Sequence, residues 1–403
     1  MNRFSLKVYL FLSGILLSIS PMTFGESQAL SFERFVIDDS FPGAYQVAIE
    51  DINNDGKLDI AALGEGSGVY WYENPTWKKR PISGEEISHP IDFAFHDLDH
   101  DGDLECALAY EFGMSETLSG GKIAWLDRNE DLDQPWHSHL IYAEPTAHRL
   151  RWARLKEGEE KRLFVLPIMG VASSAPDFHQ NPVLFLSFTV PENPSQNPWQ
   201  MDIIDHSLHI AHGLNVVSTQ SQDILLTASV EGIKLFAYEK SKDQLIDILF
   251  PAPVPQNNQR TGSSEVAYIK FKKEEPAEGV FYLSTIEPWH GNQVVIYTFN
   301  SPDNPAQYDR QVIDDSFING HALATADFNQ DGVDEIIAGY RGKGHTIYLY
   351  ELTDRDTMQW KRQKIDDTVA TQGFATGDIN QDGKVDFVAS GGSTHNVVLY
   401  INQ

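Results

Sequence analysis

The sequence predicts an all-β fold, a seven-bladed β-propeller whose ring is closed by an N-terminal strand completing the last blade. Three observations predict it. Short runs rich in Val, Ile, Tyr and Trp alternate with Gly- and Asp-rich turns along the whole chain. The pattern D-x-[DN]-x-D-G-x-x-[DE] recurs at Asp51–Asp59, Asp97–Glu105, Asp327–Glu335 and Asp378–Asp386. The stretch VIDDSF occurs at Val36–Phe41 and again at Val312–Phe317, with a looser copy in WKRQKIDD at Trp360–Asp367.

The 403 residues are 41% hydrophobic and 22% charged, a globular composition. The formal net charge of -28 disfavours nucleic acid or an anionic membrane as a partner of the whole surface. Residues 1–25 read as a signal peptide: Arg3 and Lys7 precede an apolar run at Val8–Ile19, with small residues near Gly25. A secreted or periplasmic location follows as an expectation, with no membrane contact after cleavage. Cys106 is the single cysteine and lies in an apolar run, so no disulfide within the chain is available.

Residues 26–403 read as one propeller domain. Each acidic motif sits between two apolar runs, and a third and fourth run follow, as in DIAAL, GVYWYEN and WKKRPI. The region from Glu144 to Asp315 keeps this rhythm without the acidic motif. Aligned first runs put Asp51, Asp97, Arg154, Ser218, Lys270, Asp327 and Asp378 in one column, 46 to 64 residues apart. The expected blades are 42–83, 88–144, 145–207, 208–253, 260–316, 317–368, and 369–403 with 32–39. The last unit ends at Gln403 one strand short, and FERFVIDDSF supplies the missing strand. Radial closure of this kind protects sheet edges. No long helical period is present, and WHSH at Trp136–His139 reads as a surface strand.

The acidic motifs bring oxygens together when the loop curls, and the Gly permits the turn. The expected ligands are Asp51, Asn53, Asp55 and Asp59; Asp97, Asp99, Asp101 and Glu105; Asp327, Asn329, Asp331 and Glu335; Asp378, Asn380, Asp382 and Asp386. A hard cation suits them, and calcium in up to four structural sites is expected; an ordinary Asx-rich turn is the alternative.

These loops join first to second strands, so they share one face of the ring, and a ligand site is expected on the other. Six residues before the aligned column stand Tyr45, Ile91, His148, His212, Ser264, His321 and Gln372. Three His in seven positions stand out in a chain with 14 His. His89, His290, His345, His395, Arg149, Arg151, Arg260 and Arg341 fall near the same rim. Individually these residues are also read as hydrogen-bonded structural groups.

The acidic loops resemble the FG-GAP, or VCBS, repeats of calcium-binding propellers. The architecture and the His-bearing blade starts resemble the propeller ulvan lyases and the propeller part of aldos-2-ulose dehydratase. That resemblance implies a carbon–oxygen lyase: β-elimination from a uronate-containing, ulvan-like polysaccharide, or alternatively a sugar dehydratase. A binding module for a glycan or protein is the reading without chemistry. For elimination, His148 and His212 are candidates for base or carboxylate partner, and Arg149 or Arg151 for charge neutralisation. Tyr45 and His321 are secondary candidates for proton donation. The His cluster is also a candidate site for a second metal, such as zinc. The chain is expected to act as a monomer on an acidic polysaccharide or other glycan. G-x-S-x-G and H-E-x-x-H motifs are absent.

Overall fold

A computed structural model describes residues 29–253, 261–271, 281–299 and 308–403. It contains seven four-stranded antiparallel sheets and, among the described residues, no helix. The first strands are Ala44–Glu50, Asp92–His96, Ala147–Ala153, Ala211–Ser218, Glu265–Ile269, Gly320–Ala326 and Thr371–Gly377. Each packs beside the first strand of the next blade, and the seventh returns to the first, so they form the wall of a central channel. The seventh sheet takes its outer strand, Phe32–Asp38, from the N-terminus, paired with Asn396–Asn402.

Burial follows from this arrangement. A middle strand covered by neighbouring blades on both faces must be apolar throughout rather than alternating. Asp59–Gly64, Glu105–Tyr110, Asp223–Ser229, Glu335–Tyr340 and Asp386–Gly391 are buried at every residue. Seven apolar cores lie between consecutive blades. The one between blades 1 and 2 contains Trp71, Leu108 and Trp136, and the one joining blades 7 and 1 contains Phe41, Tyr72 and Leu399. Trp136 corrects the surface reading of WHSH: it is 2% exposed, its backbone N–H on Ile82 O, while His137 and Ser138 behind it are exposed. The indole enters the core just before the outer strand begins. Cys106 is a buried free thiol.

The repeated VIDDSF has a physical role in this packing. Its first Asp ends the outer strand of one blade and reaches the next. Asp38 Oδ2 accepts from Tyr72 Oη at 2.6 Å and from Lys79 Nζ at 2.8 Å. Asp314 Oδ2 accepts from Tyr350 Oη and Arg362 Nη1, both at 2.7 Å. Asp366 Oδ2, in the looser copy, accepts from Tyr400 Oη at 2.6 Å and Arg34 Nε at 2.8 Å. The other oxygen of each caps the N–H of Ser40, Ser316 or Thr368. Asp205 makes the same bridge with Lys234 Nζ at 2.6 Å. Four of the seven blade junctions are thus latched by an acid, in each case charge-assisted. The Phe that follows in VIDDSF, Phe41 or Phe317, is buried at the start of the next blade.

Candidate active site and metal loops

The residues in the predicted rim column share one backbone feature. In blades 1, 3, 4, 6 and 7 the pairing of first and second strands shifts at one residue, and that residue is Tyr45, His148, His212, His321 or Gln372. Such a bulge leaves its residue outside the ladder and re-aims the side chain. Here the re-aimed side chains meet across the ring.

Tyr45 Oη lies 3.2 Å from His148 Nε2, 3.5 Å from His212 Nε2 and 3.4 Å from His321 Nε2. Arg149 Nη2 donates to the same hydroxyl at 3.4 Å. His212 Nδ1 donates to Ser264 O at 2.9 Å, and His321 Nδ1 donates to Gln372 O at 2.8 Å. A carbonyl only accepts, so both rings carry their proton on Nδ1 and present a lone pair on Nε2. All three imidazoles are 1% exposed. Burial, reinforced by nearby Arg149 or Arg341, holds them well below the usual range, and hence neutral. The single tyrosine proton cannot serve three nitrogens, and His148 Nδ1 is buried with no hydrogen-bond partner.

Three further groups complete the cluster. His290, from the loop after Glu287, has its ring 4.5 Å from that of His212 and 4.9 Å from that of His321, with Arg341 Nη2 3.4 Å from its Nδ1. Glu265 Oε1 is 2.8 Å from His212 Nδ1 and 3.5 Å from Arg149 Nη2. The carboxylate is out of line for a hydrogen bond, so Ser264 O is the acceptor and Glu265 acts as a nearby charge. Burial pushes the Glu265 carboxyl up to about 7 against the pull of Arg149. Sequence reasoning placed Ser264 in the column and missed Glu265, one residue on. A lone acid in the otherwise apolar run EVAYI was the only signal.

Arg149 and Arg151 separate. Arg149 is 2% exposed and belongs to the cluster. Arg151 Nη1 is held by Asp92 Oδ2 and Leu150 O, at 2.8 and 2.6 Å. His212, His290 and His321 can offer nitrogens within 4.8 Å of one another. With two of the rings oriented by backbone carbonyls, this set suits a nitrogen-preferring divalent metal such as zinc.

The acidic loops lie at the other end of the strands. In all four, the first Asp accepts from the Gly N–H: Asp51 from Gly56, Asp97 from Gly102, Asp327 from Gly332 and Asp378 from Gly383. The glycines have φ between 84° and 94°, a range that favours Gly. One oxygen each of Asn53, Asp99, Asn329 and Asn380 takes the N–H two residues on, as does one oxygen each of Asp55, Asp101, Asp331 and Asp382. The closing acids differ. Asp59 spends both oxygens on backbone N–H groups of Ile52 and Asn74, and Asp386 does so on Ile379 and Asn402. Glu335 receives Phe328 N and Asn329 Nδ2, while Glu105 receives Leu98 N on one oxygen. Asp97, Asp99 and Glu105 bring carboxylate oxygens within 4.8 Å of one another. Burial and neighbouring acids push Glu105 and Glu335 up to about 8. Asp97 Oδ1 and Asp327 Oδ1 are buried without partners, as oxygens meant for a cation would be. The loops also touch: Gln330 donates to Gly383 O, Gln381 to Gly56 O and Asn54 to Gly102 O, so they form one arc from blade 6 to blade 2.

Comparison with known proteins follows the same division. Residues 51–108 and 327–389 match the FG-GAP-like repeat, the spans that hold the acidic loops. The chain is a seven-bladed β-propeller with FG-GAP-like repeats. Residues 120–300 match the β-propeller domain of aldos-2-ulose dehydratase, a span containing His148, Arg149, His212, Glu265 and His290. Aldos-2-ulose dehydratase of Phanerodontia chrysosporium is 22% identical over 356 residues, 82% of this chain and 38% of that protein. This propeller therefore spans well under half the length of that relative. A chain in the crystal structure of BBS1N in complex with ARL6DN shares the fold alone. Its TM-score is 0.55 at 11% identity, covering 93% of this propeller and 96% of that chain.

Proposed function

We propose that this propeller is a carbohydrate carbon–oxygen lyase that works by β-elimination at the Tyr45–His148–His212–His321 cluster. One observation carries the reading: three neutral imidazoles and the Arg149 guanidinium converge within 3.5 Å of the hydroxyl oxygen of one phenol, Tyr45. Elimination needs those three chemistries. A base takes the proton from the carbon beside a carbonyl or carboxylate, and a neutral His212 or His148 can accept it on Nε2. A cation stabilises the resulting enolate, which suits Arg149 and Arg341. An acid protonates the departing oxygen, and Tyr45 Oη carries the proton for it. The C–H pair becomes the new C=C bond, and water or an alcohol leaves.

A divalent metal held by His212, His290 and His321 would occupy the Nε2 lone pair of His212 and polarise the substrate carbonyl, and His148 would then be the base. Burial of the imidazoles favours a compact oxidised sugar, a keto-sugar or terminal uronate, over the middle of a ulvan-like polysaccharide. The kinship with a sugar dehydratase supports the same choice. On the acidic face, the orphaned Asp97 and Asp327 oxygens support structural calcium.

The test is incubation, with calcium and with or without zinc, against a panel of 2-keto-aldoses and uronate oligosaccharides. New conjugated double bonds are followed by ultraviolet absorbance. Turnover that disappears in His212→Ala and in Tyr45→Phe supports the assignment. No product from any sugar, with binding retained, makes the propeller a carbohydrate-binding module instead.

A further inference from the structure

We infer that ligand reaches the His cluster through the central channel from the acidic-loop face, and that the channel itself is the binding compartment for a small polyhydroxylated molecule. The channel holds a cavity of about 820 Å³, within the ~300–1,000 Å³ usual for small-molecule sites. Its inner end is lined by His321, Arg149, Glu265, Gln46 and Gln372, and its outer end by Ser218, Gln220, Lys270 and Asp334.

The exposure along the wall gives the direction. On the first strand of blade 4, His212, Gly213 and Leu214 are buried, Asn215 and Val216 are half-buried, and Ser218 and Gln220 are exposed. On blade 6, His321 and Ala322 are buried and residues 323–327 are half-buried. On blade 7, Thr371 and Gly373 are buried, and Gln372 and residues 374–378 are half-buried. On these three strands exposure is greater toward the acidic-loop end and least at the imidazoles, which is the observation the route rests on. The face opposite the loops holds the cluster, as the sequence suggested, and there His148, His212 and His321 are buried while Tyr45, His290, Arg341 and Gln372 are half-buried.

The floor of this compartment is built to hold an oxygen. Arg149 is 2% exposed and lines the cavity, and its Nη1 is buried with no hydrogen-bond partner. Nη2 meanwhile holds Tyr45. A buried guanidinium N–H left unpaired is costly, and a carbonyl or carboxylate oxygen of a bound sugar would satisfy it. Gln46, Gln372 and Glu265 beside it offer donors and acceptors suited to hydroxyls. The identity of the ligand rests on the elimination reading above; the route rests on the cavity and the exposure of its wall.

Cys106 is the only cysteine and is buried, so one cysteine can be introduced and capped selectively. Ser218→Cys places it at the channel opening, and Ser393→Cys at an exposed site on the opposite face. Both proteins are assayed before and after reaction with a bulky polyethylene-glycol maleimide. The readouts are turnover of the panel sugars and acylation of His321 by diethyl pyrocarbonate, followed by mass spectrometry. Capping Ser218→Cys is expected to slow both at least about tenfold, while capping Ser393→Cys leaves both unchanged. Protection from the Ser393 side, or none from the Ser218 side, overturns the route. If no sugar is turned over, His321 acylation still decides the route, so the two readings fail separately.

Discussion

Tyr72 Oη donates to Asp38 Oδ2 at 2.6 Å, tying the N-terminal strand of blade 7 to the third strand of blade 1. This hydrogen bond bridges the junction at which blade 7 meets blade 1 and the ring closes. Tyr72 is 1% exposed and its phenol is pushed far up by burial and by Asp38. Tyr72→Phe should therefore lower stability by about 1–3 kcal/mol, since it leaves a half-buried carboxylate short of a donor. Deleting residues 26–41 should unfold the ring outright at temperatures the full chain withstands. Thermal denaturation of the two variants checks both expectations; a truncated chain that melts like the full one would sink the closure argument.

The latches also set the acid limb of stability. Burial pushes Asp38, Asp205, Asp314 and Asp366 up, but the cationic, hydroxyl and backbone donors around them leave all four below the ordinary 3.8. A carboxyl depressed in the folded state adds stability above its unfolded pKa and loses it as pH falls through the folded one. Denaturant titrations should show stability level with pH well above 3.8 on this account and falling below it. In Asp314→Asn that acid-side loss should shrink, with lower stability at neutral pH.

Calcium should stabilise the arc of loops. Adding it to chelator-treated protein should raise the melting temperature, by an amount growing with the logarithm of free calcium. Asp97→Ala combined with Asp327→Ala should blunt the rise and leave the His cluster's reactivity intact. An identical melting curve with chelator and with calcium would return the loops to plain Asx turns.

Arg149 and Arg151 sit two residues apart and should behave differently. Arg149→Lys removes a planar donor from Tyr45 and should cut turnover by about a hundredfold or more. Arg151→Met breaks the pair with the buried Asp92 and should cost about 3–5 kcal/mol of stability, and because Arg151 also lines the channel cavity it should raise KM more than it lowers kcat. Steady-state kinetics alongside denaturation separates the two.

The rim column was legible because a bulge repeated in five blades leaves a repeated position, and three of its occupants are His. The bulge itself was not legible, since one extra residue in a strand carries no composition of its own. Glu265 and the separation of Arg149 from Arg151 were hidden for a related reason: which neighbour a charged side chain finds depends on the adjacent blade. Trp136 was misread because an aromatic at the edge of an outer strand can turn either way, and the core of blades 1 and 2 turned it in.

The sequence by itself determined the seven blades, the donated N-terminal strand and the four acidic loops, because strand period, turn chemistry and repetition are local properties. Only the tertiary structure decided that Tyr45 meets His148, His212 and His321, that VIDDSF is a latch between blades, and that the channel wall is most buried at the imidazoles. Those facts join residues up to 332 positions apart, and only closure of the ring brings them within reach of one another.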